Sequence, residues 1–482
     1  MSQPLQTNCA FSRRRLLREV GCSFGYLALA GLCAQSAVAG GIRSGGGVTG
    51  PLAARPPMLP ARAKRVIFLF MQGGPSQIDT FDPKPRLQAD DGKTVDFNVA
   101  RTRKVETRTV LASPWKFARH GDSGRSVSEL FPHIARHVDD LCFVHSVHTE
   151  GVAHGPATLT LHTGQSSLVR PSVGAWVAYG LGTENQDLPG FVTINPPVNM
   201  GGPRNYSNAF LPAVYQGTTI GRAGMPMPRD GIRHLTTDAL PPAEQRRRFE
   251  LLRAMNREQA ARAGSDHELE ATIESFELAF RMQAQAPELM KVTRGESETT
   301  LKLYGIGEQP TDEYGRQCLL ARRLAESGVR YIQVNYSDNG NNPRWDQHSN
   351  LKQHAHHAMA TDKPVAGLLA DLKARGLLED TLVWWGGEFG RTPFAEGRDG
   401  RDHNPNGFTI FLAGGGTKPG HAHGLTDDYG YNAIHDKVHM HDLHATILHL
   451  LGIDHQKLTY RYAGRDFRLT DVYGDVVQGI IA

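Results

Sequence analysis

The chain has 482 residues, 39% hydrophobic and 21% charged, which excludes a disordered chain and allows a large core without a disulfide scaffold. Its formal charge of +4 falls to about +1 when Arg13, Arg14, Arg15 and Arg18, less Glu19, are set aside with residues 1–39, and so gives no sign of a nucleic-acid binder. Three of the five cysteines share that segment, leaving Cys142 and Cys318 and at most one disulfide, whereas all 22 histidines lie beyond residue 119.

The first element is an address. Ser12-Arg13-Arg14-Arg15-Leu16-Leu17-Arg18 has the twin-arginine form, with an apolar stretch over Val20–Val38 and Ala37-Val38-Ala39 as a small-x-small cleavage site. This predicts a signal peptide over 1–39 and export through the twin-arginine machinery, to the periplasm or beyond. The stretch is broken by four glycines from Gly21 to Gly40 and would span a bilayer poorly; no later segment is long and apolar enough to do so. Gly40–Pro60 is rich in glycine and proline and reads as a flexible linker, with 61–482 as the folded domain.

Continuous apolar runs then predict buried strands at Arg65–Met71, Leu141–Val147, Phe191–Ile194, Val329–Val334, Thr381–Trp385 and Phe408–Leu412. Several follow helical patterns. The clearest begins near Thr361-Asp362 as cap, with Pro364 in the first turn, Val365, Leu368, Leu369 and Leu372 on one face, and Gly376 as stop. The alternation predicts an α/β fold with a mostly parallel sheet and helices on both faces. Residues 243–286 are polar and helical throughout and read as an inserted, solvated hairpin; Arg246-Arg247-Arg248 belongs to its surface.

Ligand sites in open α/β sheets lie beyond the carboxyl ends of the strands. The first strand leaves into Gly73-Gly74-Pro75-Ser76-Gln77-Ile78-Asp79, where two glycines allow backbone N–H groups to approach an anion and Asp79 is a candidate cation ligand. After Val329–Val334 comes Trp345-Asp346-Gln347-His348. In an extended segment Asp346 and His348 point to one side, a carboxylate and imidazole set suited to Zn, Mn or Fe. After Thr381–Trp385 comes Gly386-Gly387-Glu388-Phe389-Gly390-Arg391, a carboxylate among three glycines followed by an arginine able to clamp an anionic ester. Asp402-His403-Asn404-Pro405 precedes the next strand, which makes His403 the weakest of the ligand candidates.

These pieces carry a family resemblance. His154-Gly155-Pro156-Ala157-Thr158-Leu159-Thr160-Leu161-His162-Thr163-Gly164 is similar to the Cys-x-Pro-Ser-Arg-x-x-Leu-Leu-Thr-Gly signature of sulfatases. Asp380–Gly390 is similar to the sulfatase strand ending in Ser-Asp-Asn-Gly or Ser-Asp-His-Gly. Asp442–Gly452 is similar to the closing Asp-Leu-x-Pro-Thr-Leu segment. More closely, the twin-arginine leader, Gly73-Gly74-Pro75-Ser76, Trp345-Asp346-Gln347-His348, Gly387-Glu388-Phe389-Gly390-Arg391-Thr392 and Gly464–Asp471 resemble the exported family of domain of unknown function 1501, in the alkaline phosphatase/sulfatase-like superfamily.

The resemblance implies an alkaline phosphatase/sulfatase-like fold, a divalent metal (Zn, Mn or Ca) and a small-molecule or polysaccharide ester of phosphate or sulfate as substrate. It also has departures. His154 stands where the nucleophile would be, Glu388 replaces the usual Asp, and Phe389 takes the place of a second ligand. The resulting expectation is a hydrolase using metal-activated water. Its ligands would come from Glu388, Asp346, His348, Asp79 and His403, with His154 and His148 passing protons and Arg391 binding the anion. The alternative is a non-catalytic sulfatase-like binding or assembly protein.

Overall fold

The computed structural model describes residues 50–227, 241–263 and 267–482. The twin-arginine leader and the first part of the linker therefore lie outside the described residues. The rest of the expected linker, 50–60, is anchored: Leu52 is buried, and the backbone N–H groups of Arg55 and Leu59 donate to Leu181 O and Gly452 O.

The central sheet has nine strands. We number its strands, with one outlying hairpin, as β1 (Arg65–Met71), β2 (Leu141–His148), β3 (Phe191–Ile194), β4 (Thr218–Ile220), β5 (Tyr331–Tyr336), β6 (Thr381–Gly386), β7 (Gly390–Glu396), β8 (Gly400–Asn404), β9 (Phe408–Ala413), β10 (His421–His423) and β11 (Val438–His439). The spatial order is β10-β2-β9-β6-β1-β5-β3-β4, with β11 also on β2 and β7–β8 forming the separate hairpin. Every pairing in the sheet is parallel except those of β9, which runs against both β6 and β2. The start of β9 consequently lies at the same edge as the carboxyl ends of all the other strands.

The six predicted strands form, and their unbroken apolar runs have a plain cause: each central strand is covered on both faces. Alternation sends Phe68 and Trp384 to one face, stacked at 3.8 Å, where Phe68 and Phe70 meet His162 of α1 (His154–Thr163). On the other face Trp385 and Phe411 meet Phe81, and Trp385 also meets Phe131. The remaining major helices are α2 (Val173–Leu181), α3 (Pro242–Ala263), α4 (His267–Met290), α5 (Asp312–Glu326), α6 (Gln353–Ala374) and α7 (Met440–Leu450). Together α3 and α4 are the inserted helical pair, between β4 and β5. No helix among the described residues is long and apolar enough to cross a membrane.

One helix start differs from the pattern. α6 begins at Gln353, so Thr361, Asp362 and Pro364 lie inside it. Asp362 caps a neighbour instead: its carboxylate accepts the N–H groups of His133 and Ile134, at 2.8 and 2.7 Å, at the start of the 3-10 turn Ile134–Asp140. A cap residue identifies a helix end only when the end is its own.

Candidate metal centre

Three segments bring four groups to the carboxyl edge of the sheet. His154 is the first residue of α1, just past β2. Asp346 and His348 come from the loop after β5, and His403 from β8, shortly before β9. Glycines permit the convergence. A Cβ on Gly73, whose φ is +107°, would meet the backbone nitrogens of Trp345 and Asp346 at 2.7 and 2.8 Å. A Cβ on Gly400 would lie 2.0 Å from His348 O, and next to it Arg401 N donates to Gln347 O at 3.0 Å. The Asp346–His348 loop is thus pinned between the exit of β1 and the strand that carries His403.

Candidate ligand atoms of His154, Asp346, His348 and His403 all lie within 4.8 Å of one another. Asp346 Oδ1 is 3.0 Å from His348 Nε2 and 3.3 Å from His403 Nε2; Asp346 Oδ2 is 3.2 Å from His154 Nε2. The Nε2 atoms of His348 and His403 are 3.0 Å apart.

The other ring nitrogens decide what this means. His403 Nδ1 lies 2.8 Å from Val152 O, a carbonyl that can only accept, so Nδ1 carries the proton. His348 Nδ1 is bonded to the Glu396 carboxylate, and His154 Nδ1 to Glu388 Oε1 at 2.7 Å. With each Nδ1 donating, each neutral ring turns a lone pair at Nε2 toward the others. His348 and His403 then oppose lone pair to lone pair, an arrangement that a proton or a cation must resolve. His154 Nε2 is buried and faces Asp346 Oδ2 at 3.2 Å.

The charges agree. Burial opposes ionisation of Asp346, but the three imidazoles and Arg391 outweigh it and hold its pKa well below the usual carboxylate range. Asp346 raises His348 against burial; burial lowers His154, but Asp346 and Glu388 more than reverse that; and burial keeps His403 low. The donor set fits a divalent metal. Tetrahedral bonds of about 2.1 Å require ligand atoms roughly 3.4 Å apart, close to the separations found, and an acceptor behind each histidine is the usual support of a metal imidazole.

The remaining candidates have other positions. Glu388, fully buried, stands behind His154 and accepts Gly73 N at 3.0 and 3.1 Å. The anion approached by the Gly73 backbone is therefore the protein's own. Arg391 is also fully buried; it donates to Gly74 O at 3.0 Å, to Arg401 O at 3.1 Å, to Gly73 O and to Asp346 at 2.7 Å. Those bonds commit its guanidinium to Asp346 and to three backbone carbonyls. Asp79 is tied to Arg401, at 2.7 and 3.2 Å, away from the four. His148 packs its ring 5.1 Å from His439 and is not one of the convergent group.

Phe389 forms a wall, its ring 4.3 Å from that of His403 and 5.0 Å from that of His154. Of the supporting groups, Glu396 and the Val152 carbonyl had no signal in the sequence, because their partners are brought to them by tertiary contacts. Cys142 and Cys318 are free and buried; burial pushes the Cys142 thiol up to about 12 and raises Cys318 further, so neither is a thiolate nucleophile.

The family model described as "Protein of unknown function (DUF1501)" matches residues 63–481. No curated protein matches the chain. Among solved structures it is similar to the lipoteichoic acid synthase LtaP from Listeria monocytogenes, at 9% identity and TM-score 0.37, over 89% of this chain and 80% of that one. It is also similar to a protein in the alkaline phosphatase superfamily from Vibrio parahaemolyticus, at 9% identity and TM-score 0.35, over 84% and 70% of the two chains. A third is the PsFucS1 sulfatase from Pseudoalteromonas sp., at 12% identity and TM-score 0.32, over 81% and 68%.

Proposed function

The chain belongs to the DUF1501 family, and within that frame we propose that it is an exported, metal-dependent hydrolase of phosphate or sulfate esters. His154, His348, His403 and Asp346 hold the ion. The single observation that carries this reading is the 3.0 Å opposition of the His348 and His403 Nε2 atoms, with both Nδ1 protons committed elsewhere. Three imidazoles to one carboxylate favour Zn, Mn or Fe and disfavour Ca, which seeks oxygen.

A divalent cation there supplies Lewis-acid polarisation of an ester oxygen and a water acidic enough to react near neutral pH, in place of a side-chain nucleophile. The protein's own residues set the stage. Arg391 fixes Asp346, while Glu388 and Glu396 orient His154 and His348 and make them better donors. His348 is the solvent side of the group: its side chain is 27% exposed, against 3% for Asp346. Substrate therefore enters past His348, while Phe389 packs against His154 and His403.

Metal analysis of protein purified without affinity-tag metals, with assays on aryl phosphate and aryl sulfate, tests the reading. Wild type should carry close to one ion per chain and cleave at least one ester, and His348→Ala should lose both properties. A second reading has its own support, because four protein ligands already complete a tetrahedral shell, as in closed structural sites. A wild type that holds its metal and cleaves neither ester would favour that binding or assembly role. The proposed export is tested separately: changing Arg13 and Arg14 to Lys should leave the precursor in the cytoplasm.

A further inference from the structure

A cavity of about 430 Å³ opens at the same sheet edge, beyond the ends of β3 and β5 and against α5 and α6. That volume lies within the range of small-molecule sites. Two residues of its wall carry buried side-chain polar atoms with no hydrogen-bond partner: Asn195 Oδ1 and Gln317 Oε1. Unpaired groups of this kind are rare in a folded chain and call for a ligand or an ordered water. The two amide oxygens can only accept, and the Glu313 carboxylate beside them already takes Met227 N at 2.8 Å and Asn195 Nδ2 at 3.4 Å, so the missing partner brings O–H or N–H donors to the amides.

The rest of the wall narrows the class. Tyr314 and Tyr336 meet edge to face at 5.2 Å, and the Tyr336 hydroxyl is fixed by His357 at 3.0 Å, giving rigid aromatic surface beside Pro226 and Pro310. Arg344 lies over the Tyr336 ring, 5.2 Å from its centroid, with contacts of only 3.5 Å to Ser337 O and 3.7 Å to Asp338. Its guanidinium keeps donors for an anionic group. A simple ammonium ion would suit Glu313 but be repelled by Arg344. A sugar ring offers several hydroxyls to the amides and a C–H face to the tyrosines, and an acidic substituent completes the match.

We propose that this cavity binds an anionic glycan, with Gln317 and Asn195 reading hydroxyls and Arg344 reading the sulfate, phosphate or carboxylate substituent. Arg344 stands two residues from Asp346, so the cavity and the candidate metal centre share one loop. As a statement about substrate this rests on the ester reading above; the binding itself does not.

The test is titration of the metal-depleted chain with an array of neutral, uronate-bearing and sulfated hexasaccharides, with inorganic sulfate alone as the comparison. At least one anionic hexasaccharide should bind. Gln317→Met, similar in size but without hydrogen-bonding groups, should weaken it about tenfold, the effect of one lost hydrogen bond. Arg344→Met should remove the preference for anionic over neutral glycans. Both variants should keep the wild-type melting temperature and metal content.

Absence of binding across the array, binding unchanged in both variants, or inorganic sulfate binding as tightly as the hexasaccharides would each overturn the proposal. Glycan binding without metal or hydrolysis would overturn only the hydrolase reading. Hydrolysis of aryl esters without glycan binding would overturn only this one.

Discussion

Two groups of histidines sit at the carboxyl edge of one sheet and are wired in opposite senses. In the first, His154, His348 and His403 give their Nδ1 protons to Glu388, Glu396 and Val152 O, leaving Nε2 free to converge on Asp346. In the second, His439 Nδ1 accepts the N–H of His441 as cap of α7, so its proton is on Nε2 and goes to Glu150 at 2.8 Å. His444, on the same helix, likewise spends Nε2 on Leu161 O at 2.9 Å. Both groups are rich in imidazole, and among the described residues only the first brings its candidate ligand atoms within 4.8 Å of one another. A metal site is made by what the far ring nitrogen touches, more than by how many histidines are near.

The largest effect should come from Asp346→Ala. It removes the only carboxylate among the four ligands and strands the buried Arg391 charge. Metal content should fall to background, with about 3–5 kcal/mol lost from apo stability, measured by elemental analysis and denaturant unfolding. An Asp346→Ala protein with full metal content would place the ion elsewhere.

Acid should next distinguish the second group. Burial pushes His444 down to about 3 and His162, packed against Phe70, down to about 4, whereas the unfolded chain takes up these protons near 6.5. Their contribution is complete above pH 6.5 and is lost as pH falls toward 4 and 3. At pH 5 the two together should cost about 4 kcal/mol relative to neutrality. His444→Gln should remove about half of that slope; an unchanged slope would show that His444 is not the group being titrated.

Glu388→Gln keeps the size of the side chain and an acceptor but weakens the support of His154. Metal affinity should drop about 10- to 100-fold with little change in melting temperature. If affinity falls as far as in Asp346→Ala, Glu388 is itself a ligand. The smallest effect belongs to His439→Ala, which deletes a helix cap for about 1 kcal/mol and should leave metal content untouched. Loss of metal in that variant would erase the distinction between the two groups.

Much of the first group could be read along the chain. Asp346 and His348 are two residues apart at a strand exit, and that exit lies at the functional edge because β5 is parallel to its neighbours. His403 looked weakest because it precedes a strand. That strand is β9, antiparallel to β6 and β2, and its beginning is therefore at the functional edge. His154 was visible as a residue but not as a ligand, since nothing local says that Glu388, 234 positions away, will take its other nitrogen. Arg391 and Asp79 have side chains suited to open chemistry, but both are buried and committed to partners of their own.

The six strands, the α/β class and the loops from which the candidate ligands come are legible along the chain. Apolar runs and turn glycines are local signals, and a strand covered on both faces has no choice but to be apolar along its length. Which imidazole nitrogen is free is settled by folding alone. That choice depends on an acceptor placed behind each ring by a different segment, and on one antiparallel strand that reverses the end from which His403 approaches. Such long-range pairings are fixed by packing and by the requirement to satisfy buried polar groups, neither of which leaves a periodic mark in the chain.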